Sequence, residues 1–383
     1  MGSPIRRRED GAIALAEKVL SLLDEGSFTT TYKYAVLLGL IDVCMENTSR
    51  TGEAPDVVTT RQLAEKVLEI YWPQAVRFHY ESFPEPTVLN QYQGARDAQA
   101  AILSEIVQFR SDHASDPSAP LPRARRSAPE AFEDLVQSIE WKLIEMPLPR
   151  LQYFGRTHDD FLYSISWDKS VRVGDVSEYQ RSGGGPFDNR ISLKPRVGEY
   201  LVLLNSLLRP LIHRQWAAMV AQLNDLEESR LEQFLFGARR IPLDPVRPGL
   251  RALQEDRCFY CGGRLRSSGK KSPEVDHFIP WARYPNNAIE NLVVAHERCN
   301  SRKSDFLAAP GHLDRWADRF EQAGRADPEL QEVAADAGWE SDPGRSLSVT
   351  RAVYLRLPAD ARLWREGREF VEAEPEELET VLA

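Results

Sequence analysis

Three side chains in the last third of the sequence suit the hydrolysis of a phosphodiester bond. Asp276 and His277 are adjacent, and Asn300 follows later in the chain. A carboxylate and an amide oxygen are hard ligands that suit Mg²⁺ or Mn²⁺. A histidine beside them that stays off the metal can take a proton from water. A cation held there would stabilise the leaving oxygen and the charge on the phosphate, so the sequence predicts this chemistry.

Two pairs of metal-binding residues flank this set. Cys258 and Cys261 form a C-x-x-C pair followed by two glycines, and His296 and Cys299 form a second pair with the same gap. Together they predict a Cys₃His tetrahedral site for structural Zn²⁺ with no open position for water. The alternative is that His296 is an exposed residue at a strand end, and that the metal is absent or bound by three cysteines.

The elements that would position these residues form a strand, a second strand and a helix. The segment 275–280 predicts a strand that ends at a proline, and 291–295 predicts a second short strand. The segment from Arg298 to about Phe306 predicts a helix that carries Asn300 near its first turn. In this arrangement the helix packs across the strand end that carries Asp276 and His277.

The motifs D-H-x-x-P, E-N-L and C-N-x-x-K-S-D resemble those of the HNH endonuclease family over residues 251–308. The resemblance implies a ββα-metal fold in which His277 is the general base. It also implies that Asp276 and Asn300 hold the catalytic Mg²⁺ or Mn²⁺, and that Asn291 braces the loop between the strands. The implied activity is cleavage of DNA, and the implied setting is bacterial anti-phage defence or restriction.

Two alternatives to a DNA endonuclease stay open at this point. One is a catalytically silent HNH fold that binds nucleic acid or assembles with other proteins, and the other is a ribonuclease. The acidic N-terminal and C-terminal parts suit a surface for a protein partner, which the sequence does not identify. It also leaves the oligomeric state open.

Basic residues near the motif are candidates for contacts with nucleic acid. The chain has a net charge of −10, which argues mildly against a nucleic-acid partner. From residue 251 to 306, however, 10 Lys and Arg stand against 7 Asp and Glu, a net of +3. Lys303 lies one turn after Asn300 and is predicted to meet a phosphate. The other predicted contacts are Arg298, Arg302, Lys270 and Lys271, and the alternative for the latter two is a solvated hairpin.

Composition bounds the rest of the molecule. The sequence has 383 residues and only four cysteines, which excludes a disulfide framework and suits a reducing cytosol. The first residues lack the apolar segment of a signal peptide, and no apolar run is long enough to span a bilayer. We therefore expect a cytoplasmic protein.

The pattern of apolar residues predicts an α+β protein that is mainly helical. Helices are predicted at 11–25 and within 57–72, the second with Thr59 or Thr60 as its N-cap, and a later helical region is predicted to be broken or kinked at Pro210. The first part allows a winged-helix or helix-turn-helix fold, with a plain helical bundle as the alternative. The predicted parts are a helical N-terminal domain (1–111), a linker or exposed loop (112–130), a mostly helical central α/β domain (131–250), the HNH domain (251–308) and a C-terminal helical extension (309–383).

Overall fold

The computed structural model describes residues 4–25, 29–80, 85–94, 98–113, 119–228, 231–237, 242–266, 272–320 and 327–383. The chain divides into two compact units. Unit 1 consists of Met1–Cys44 and Pro55–Arg239, and unit 2 consists of Met45–Ala54 and Arg240–Ala383. Each unit has its own buried apolar core. Among the described residues, no helix has the length and apolar character needed to cross a membrane.

Unit 1 is mainly helical, as predicted. Its helices are α1 (Pro4–Glu25), α2 (Tyr32–Glu46, whose last two residues fall in unit 2), α3 (Thr60–Tyr71), α4 (Ala101–His113), α5 (Leu121–Ser127), α6 (Pro129–Glu145), α7 (Pro147–Arg150), α8 (Val173–Ser182), α9 (Val197–Leu203), α10 (Asn205–Leu223) and α11 (Leu231–Phe236). Its strands are β1 (Val57–Thr59), β2 (Tyr153–Phe154), β3 (Thr157–His158), β4 (Tyr163–Ile165) and β5 (Arg190–Leu193).

A three-stranded antiparallel sheet in the order β1-β5-β4 and a β2-β3 hairpin complete unit 1. Helix α3 packs against α6. The helix predicted within 57–72 is α3, and the residues before it, Val57–Thr59, form a strand that pairs with distant β5. Thr59 is the N-cap of α3, and its side chain and that of Gln62 form a capping box.

Two further predictions for unit 1 need correction. The predicted linker contains helix α5 and the start of α6, and Ala124 is 1% exposed because α5 packs against α6. The helical region that was predicted to be broken or kinked at Pro210 is interrupted at Leu204, where ψ is 1°, and Pro210 lies inside α10. Proline has no backbone N–H to donate at that position, and α10 continues without this hydrogen bond.

Unit 2 contains the predicted ββα arrangement and a C-terminal extension that packs in the same unit. Its helices are α12 (Arg247–Leu253), α13 (Glu297–Lys303), α14 (Pro310–Ala317), α15 (Pro328–Asp336), α16 (Pro343–Tyr354) and α17 (Pro375–Leu382). Its strands are β6 (Glu274–His277), β7 (Leu292–Ala295), β8 (Arg362–Glu366) and β9 (Glu369–Glu372). Strands β6 and β7 pair antiparallel, as do β8 and β9.

The core of unit 2 lies behind the β6-β7 pair. Phe278 stacks on Trp316 of α14 with ring centroids 5.1 Å apart, and both side chains are fully buried. Backbone bonds join Leu307 and Ala309 to Trp364 of β8, which ties the chain after α13 to the second hairpin. The C-terminal extension is therefore part of the scaffold of the ββα segment.

Candidate active site

Strand pairing and one short helix bring the predicted catalytic residues into the same region. Asp276 and His277 end strand β6 and pair with Val293 and Leu292 of β7. Helix α13 begins directly after β7 and packs against β6, and it carries Asn300. The prediction of two strands and a helix is confirmed.

The four predicted zinc ligands form one cluster. The ligand atoms of Cys258, Cys261, His296 and Cys299 all lie within 4.8 Å of one another. The Cys261 Sγ atom is 3.3 Å from Nδ1 of His296. Three thiol sulfurs and one imidazole nitrogen at this spacing are the donor set that tetrahedral Zn²⁺ prefers, so the residues fit the predicted metal.

Backbone geometry holds the first cysteine pair as a tight turn. The amide of Cys258 donates to the carbonyl of Gly263 at 2.9 Å, and Gly262 has a φ of 67°. A side chain on Gly263 would come within 3.4 Å of the Cys261 sulfur and 3.3 Å of the His296 ring. The two glycines therefore let the backbone turn close to the metal ligands.

Electrostatics in the cluster favour a bound cation. Burial, together with the neighbouring thiol groups of Cys258 and Cys261, raises the pKa of Cys299 to about 12. Burial also raises the pKa of Cys261, but hydrogen bonds from Gly263 and the other ligands outweigh burial and lower it to about 7. The thiols thus resist joint ionisation, and a divalent cation would remove that repulsion.

Asp276 is buried and has two partners on the same oxygen. The Tyr260 hydroxyl donates to Oδ2 of Asp276 at 2.5 Å, and the Lys303 ammonium lies 3.2 Å from that atom. Among the described residues, no group donates a hydrogen bond to Oδ1 of Asp276. This oxygen is also not one of the buried side-chain atoms that lack a hydrogen-bond partner. Asp276 therefore keeps one oxygen for a cation.

His277 is oriented by a residue that the sequence did not indicate. Its Nε2 atom is 2.9 Å from Oδ1 of Asn287, and the ring lies edge-on to Trp281 at 5.4 Å. Because an amide oxygen only accepts, Nε2 carries the proton and Nδ1 keeps its lone pair. Burial lowers the pKa of His277, although Asn287 and Asp276 act in the opposite direction. The imidazole is therefore neutral at neutral pH, as a general base must be.

Asn300 and Asn291 have different surroundings. The Asn300 amide donates to Oε2 of Glu274 at 2.8 Å, which directs its nitrogen toward β6 and leaves its oxygen as a hard donor. Asn291 is 1% exposed, and its side chain bonds to the backbone of Ile279 and Asn286. These bonds fix the loop between β6 and β7, which is the role that the resemblance implied for Asn291.

The basic residues predicted to contact nucleic acid do not share one environment. Lys303 is 0% exposed, and its ammonium donates to the His277 carbonyl at 2.8 Å in addition to pairing with Asp276. This placement corrects the prediction of a surface phosphate contact for Lys303, because Asp276 draws the ammonium inward. Arg298 and Arg302 are exposed on α13, whereas Lys270 and Lys271 lie outside the described residues.

Sequence reasoning missed three partners of the predicted residues, namely Tyr260, Glu274 and Asn287. Tyr260 lies inside the C-x-x-C pair, and Glu274 shares a strand face with Asp276 because it is two residues earlier. That alternation was a usable signal for Glu274. Asn287 gave no comparable signal, because its contact with His277 depends on the path of the loop.

Comparison with known families agrees with this geometry. The model of a family described as HNH endonuclease matches residues 258–309, which include all four zinc ligands and the set from Asp276 to Asn300. Unit 2 therefore contains an HNH endonuclease domain. Such a domain indicates a nuclease, whose substrate is nucleic acid.

A second model, described as a domain of unknown function (DUF8808), matches residues 11–235. This match covers more than half of the chain and lies within the bounds of unit 1 and the 45–54 segment. The chain belongs to that family. No curated protein and no solved structure matches the chain.

Proposed function

We propose that the HNH domain hydrolyses phosphodiester bonds in DNA, with His277 as the general base. Asp276 and Asn300 would hold Mg²⁺ or Mn²⁺, while the Cys₃His cluster would hold structural Zn²⁺. The observation that carries the proposal is an imidazole oriented by Asn287 next to a carboxylate with one oxygen left for a cation. These groups are the ones that the chemistry requires.

The side chains divide the work. Nδ1 of His277 takes a proton from the attacking water, and the Asn287 bond keeps Nδ1 rather than Nε2 available. Asp276 and Asn300 each offer one oxygen, a hard donor set that suits Mg²⁺ or Mn²⁺. When bound, that cation supplies charge stabilisation at the scissile phosphate.

Surface charge gives a candidate contact for the substrate backbone. Arg298 and Arg302 are exposed on the helix that carries Asn300, so a phosphate near the site would lie within reach of that helix. We propose these two arginines as backbone contacts. Lys303 is left out of this role because it is fully buried.

Incubation with nucleic acids tests the proposal. Zinc-loaded protein with Mg²⁺ or Mn²⁺ should nick or cut plasmid DNA. Cleavage of RNA without cleavage of DNA would favour the ribonuclease alternative. Binding in a gel-shift assay without cleavage of any substrate would favour the silent module and overturn the nuclease assignment.

We further propose a bacterial setting in anti-phage defence or restriction, which the resemblance to HNH endonucleases supports. On phage challenge, lawns of bacteria that express the wild-type chain should show fewer plaques than lawns that express His277→Ala. Equal plaque counts across a panel of phages would contradict this setting and leave the enzymatic proposal untouched.

A further inference from the structure

Tyr260 connects the zinc cluster to the residue proposed to hold the catalytic cation. It lies between the zinc ligands Cys258 and Cys261, and its hydroxyl donates to Oδ2 of Asp276 at 2.5 Å. The residue is 4% exposed. One side chain thus joins two sites that would bind different metals.

We propose that Tyr260 is a positioning residue that fixes the Asp276 carboxylate so that only Oδ1 is presented to the catalytic cation. This inference rests on the proposed function, because it takes Asp276 as a ligand of that cation. Its new content is that the zinc-binding turn sets the affinity of the second site through one phenol.

Contacts on several sides leave the phenol little freedom. The ring lies edge-on to Trp364 at 5.2 Å and to His312 at 5.4 Å. The backbone on either side is also fixed, since the Phe259 amide donates to Val294 of β7 at 3.0 Å. Arg315 of α14 donates to the carbonyls of Phe259 and Tyr260. A phenol held in this way is a fixed donor.

The carboxylate is constrained from the other side as well. The Lys303 ammonium lies 3.2 Å from Oδ2 of Asp276 and donates to the His277 carbonyl at 2.8 Å. With two donors on Oδ2, Asp276 would offer only Oδ1 to a cation. Loss of the Tyr260 hydroxyl would leave Lys303 as the only partner of the carboxylate among the described residues. The carboxylate could then rotate.

Direct measurement of Mn²⁺ binding tests the inference without requiring cleavage. Tyr260→Phe removes the hydroxyl and keeps the ring. In zinc-loaded protein followed by electron paramagnetic resonance, we expect this change to raise the Kd for Mn²⁺ by about 10- to 100-fold, the usual cost of losing an outer hydrogen bond to a metal ligand. Zinc content should stay at the wild-type value.

Tyr354→Phe is the matched control. Tyr354 is a buried tyrosine of the same unit, and its hydroxyl donates to the Ala308 carbonyl at 3.0 Å rather than to Asp276. This variant should keep the wild-type Kd for Mn²⁺. An increase in Kd for Tyr260→Phe alone, with zinc retained, supports the inference.

Three results would overturn it. The first is an unchanged Kd for Mn²⁺ in Tyr260→Phe, and the second is an equal increase in this Kd in both variants. The third is loss of zinc or of the fold in Tyr260→Phe, which would make the residue part of the zinc turn only. Wild-type protein that cuts DNA while Tyr260→Phe binds Mn²⁺ normally would refute this inference alone. Wild-type protein that neither binds Mn²⁺ nor cuts would refute the proposed function as well.

Discussion

We propose different roles for His277 and His296 because a different partner holds one nitrogen of each ring. Nε2 of His296 donates to the Arg264 carbonyl at 3.1 Å, which leaves Nδ1 facing the three cysteines. Nε2 of His277 donates to Asn287, which leaves Nδ1 for water. The partner of the second nitrogen therefore distinguishes the proposed metal ligand, His296, from the proposed base, His277.

At this scale we predict that Asn287→Ala lowers the rate of DNA cleavage at saturating Mg²⁺. The imidazole would lose its orienting bond, and misplacement of a catalytic group by 1 Å costs up to about 100-fold. The loop itself should stay in place, because the Asn287 carbonyl still accepts from the Trp339 indole at 2.7 Å.

Asn287→Asp is the control for that prediction, since it keeps an acceptor for Nε2 and should retain more activity than Asn287→Ala. Single-turnover rates and thermal melting of the three proteins would check this order. Equal rates in all three would show that Asn287 does not orient the base.

The sequence alone predicted the residues of the candidate site but not their partners. Asp276, His277 and Asn300 stand in recognisable motifs, and the two pairs of predicted zinc ligands have the same two-residue gap. The bonds from Tyr260 and Asn287 form only when a turn and a loop from elsewhere reach the end of β6. Lys303 was misplaced for the same reason, because its charge was visible and its burial was not.

At the scale of elements, zinc should hold the start of α13. His296 is the N-cap of this helix, Cys299 is its third residue, and Asn300 follows. We predict that Cys299→Ser removes bound zinc and destabilises unit 2, because structural zinc contributes directly to folding. Cleavage should fall with it, since Asn300 would lose its fixed position.

Cys44→Ser controls for the loss of a thiol. Cys44 is 0% exposed in α2 and is not part of the zinc cluster. Zinc content measured by mass spectrometry should fall in Cys299→Ser and stay unchanged in Cys44→Ser. Retention of zinc and of melting temperature in Cys299→Ser would exclude Cys299 as a ligand.

Local patterns predicted most elements, and long-range pairing explains the exceptions. Thr59 was one of the two N-cap residues predicted for α3, and it is the N-cap in the structure. The conversion of Val57–Thr59 into a strand was not visible, because its partner β5 is far away in the chain. Propensity reports on neighbours in sequence, and the pairing between distant strands overrides it.

At the scale of the whole molecule, five predicted parts become two compact units. Residues 45–54 belong to unit 2, where the Tyr284 hydroxyl donates to Glu46 and Gly52 packs against Leu355. Local composition does not show that a segment packs with residues that are far away in the sequence. Composition also predicted a linker where α5 packs against α6.

The stability of unit 1 should depend on pH through His213. Its ring stacks on Phe236 at 3.9 Å, and burial, assisted by Arg209, lowers its pKa from 6.5 to about 3. Below pH 6.5, His213 takes up a proton in the unfolded chain but stays neutral in the folded state. Stability is therefore complete above pH 6.5 and decreases as the pH falls toward 3.

The loss expected between pH 7 and pH 4 is about 3 kcal/mol. Urea unfolding at a series of pH values, followed by the tryptophans of unit 1, would measure it. His213→Gln should flatten this part of the pH profile. The same pH profile for both proteins would contradict the assignment to His213.

The most direct test of the central claim compares wild-type protein with His277→Ala in a plasmid cleavage assay, with zinc content measured in both. Loss of a general base predicts a decrease of about 100- to 10,000-fold in rate with zinc unchanged. Added imidazole should restore part of the activity to His277→Ala. Cleavage by zinc-loaded His277→Ala at the wild-type rate would contradict the account.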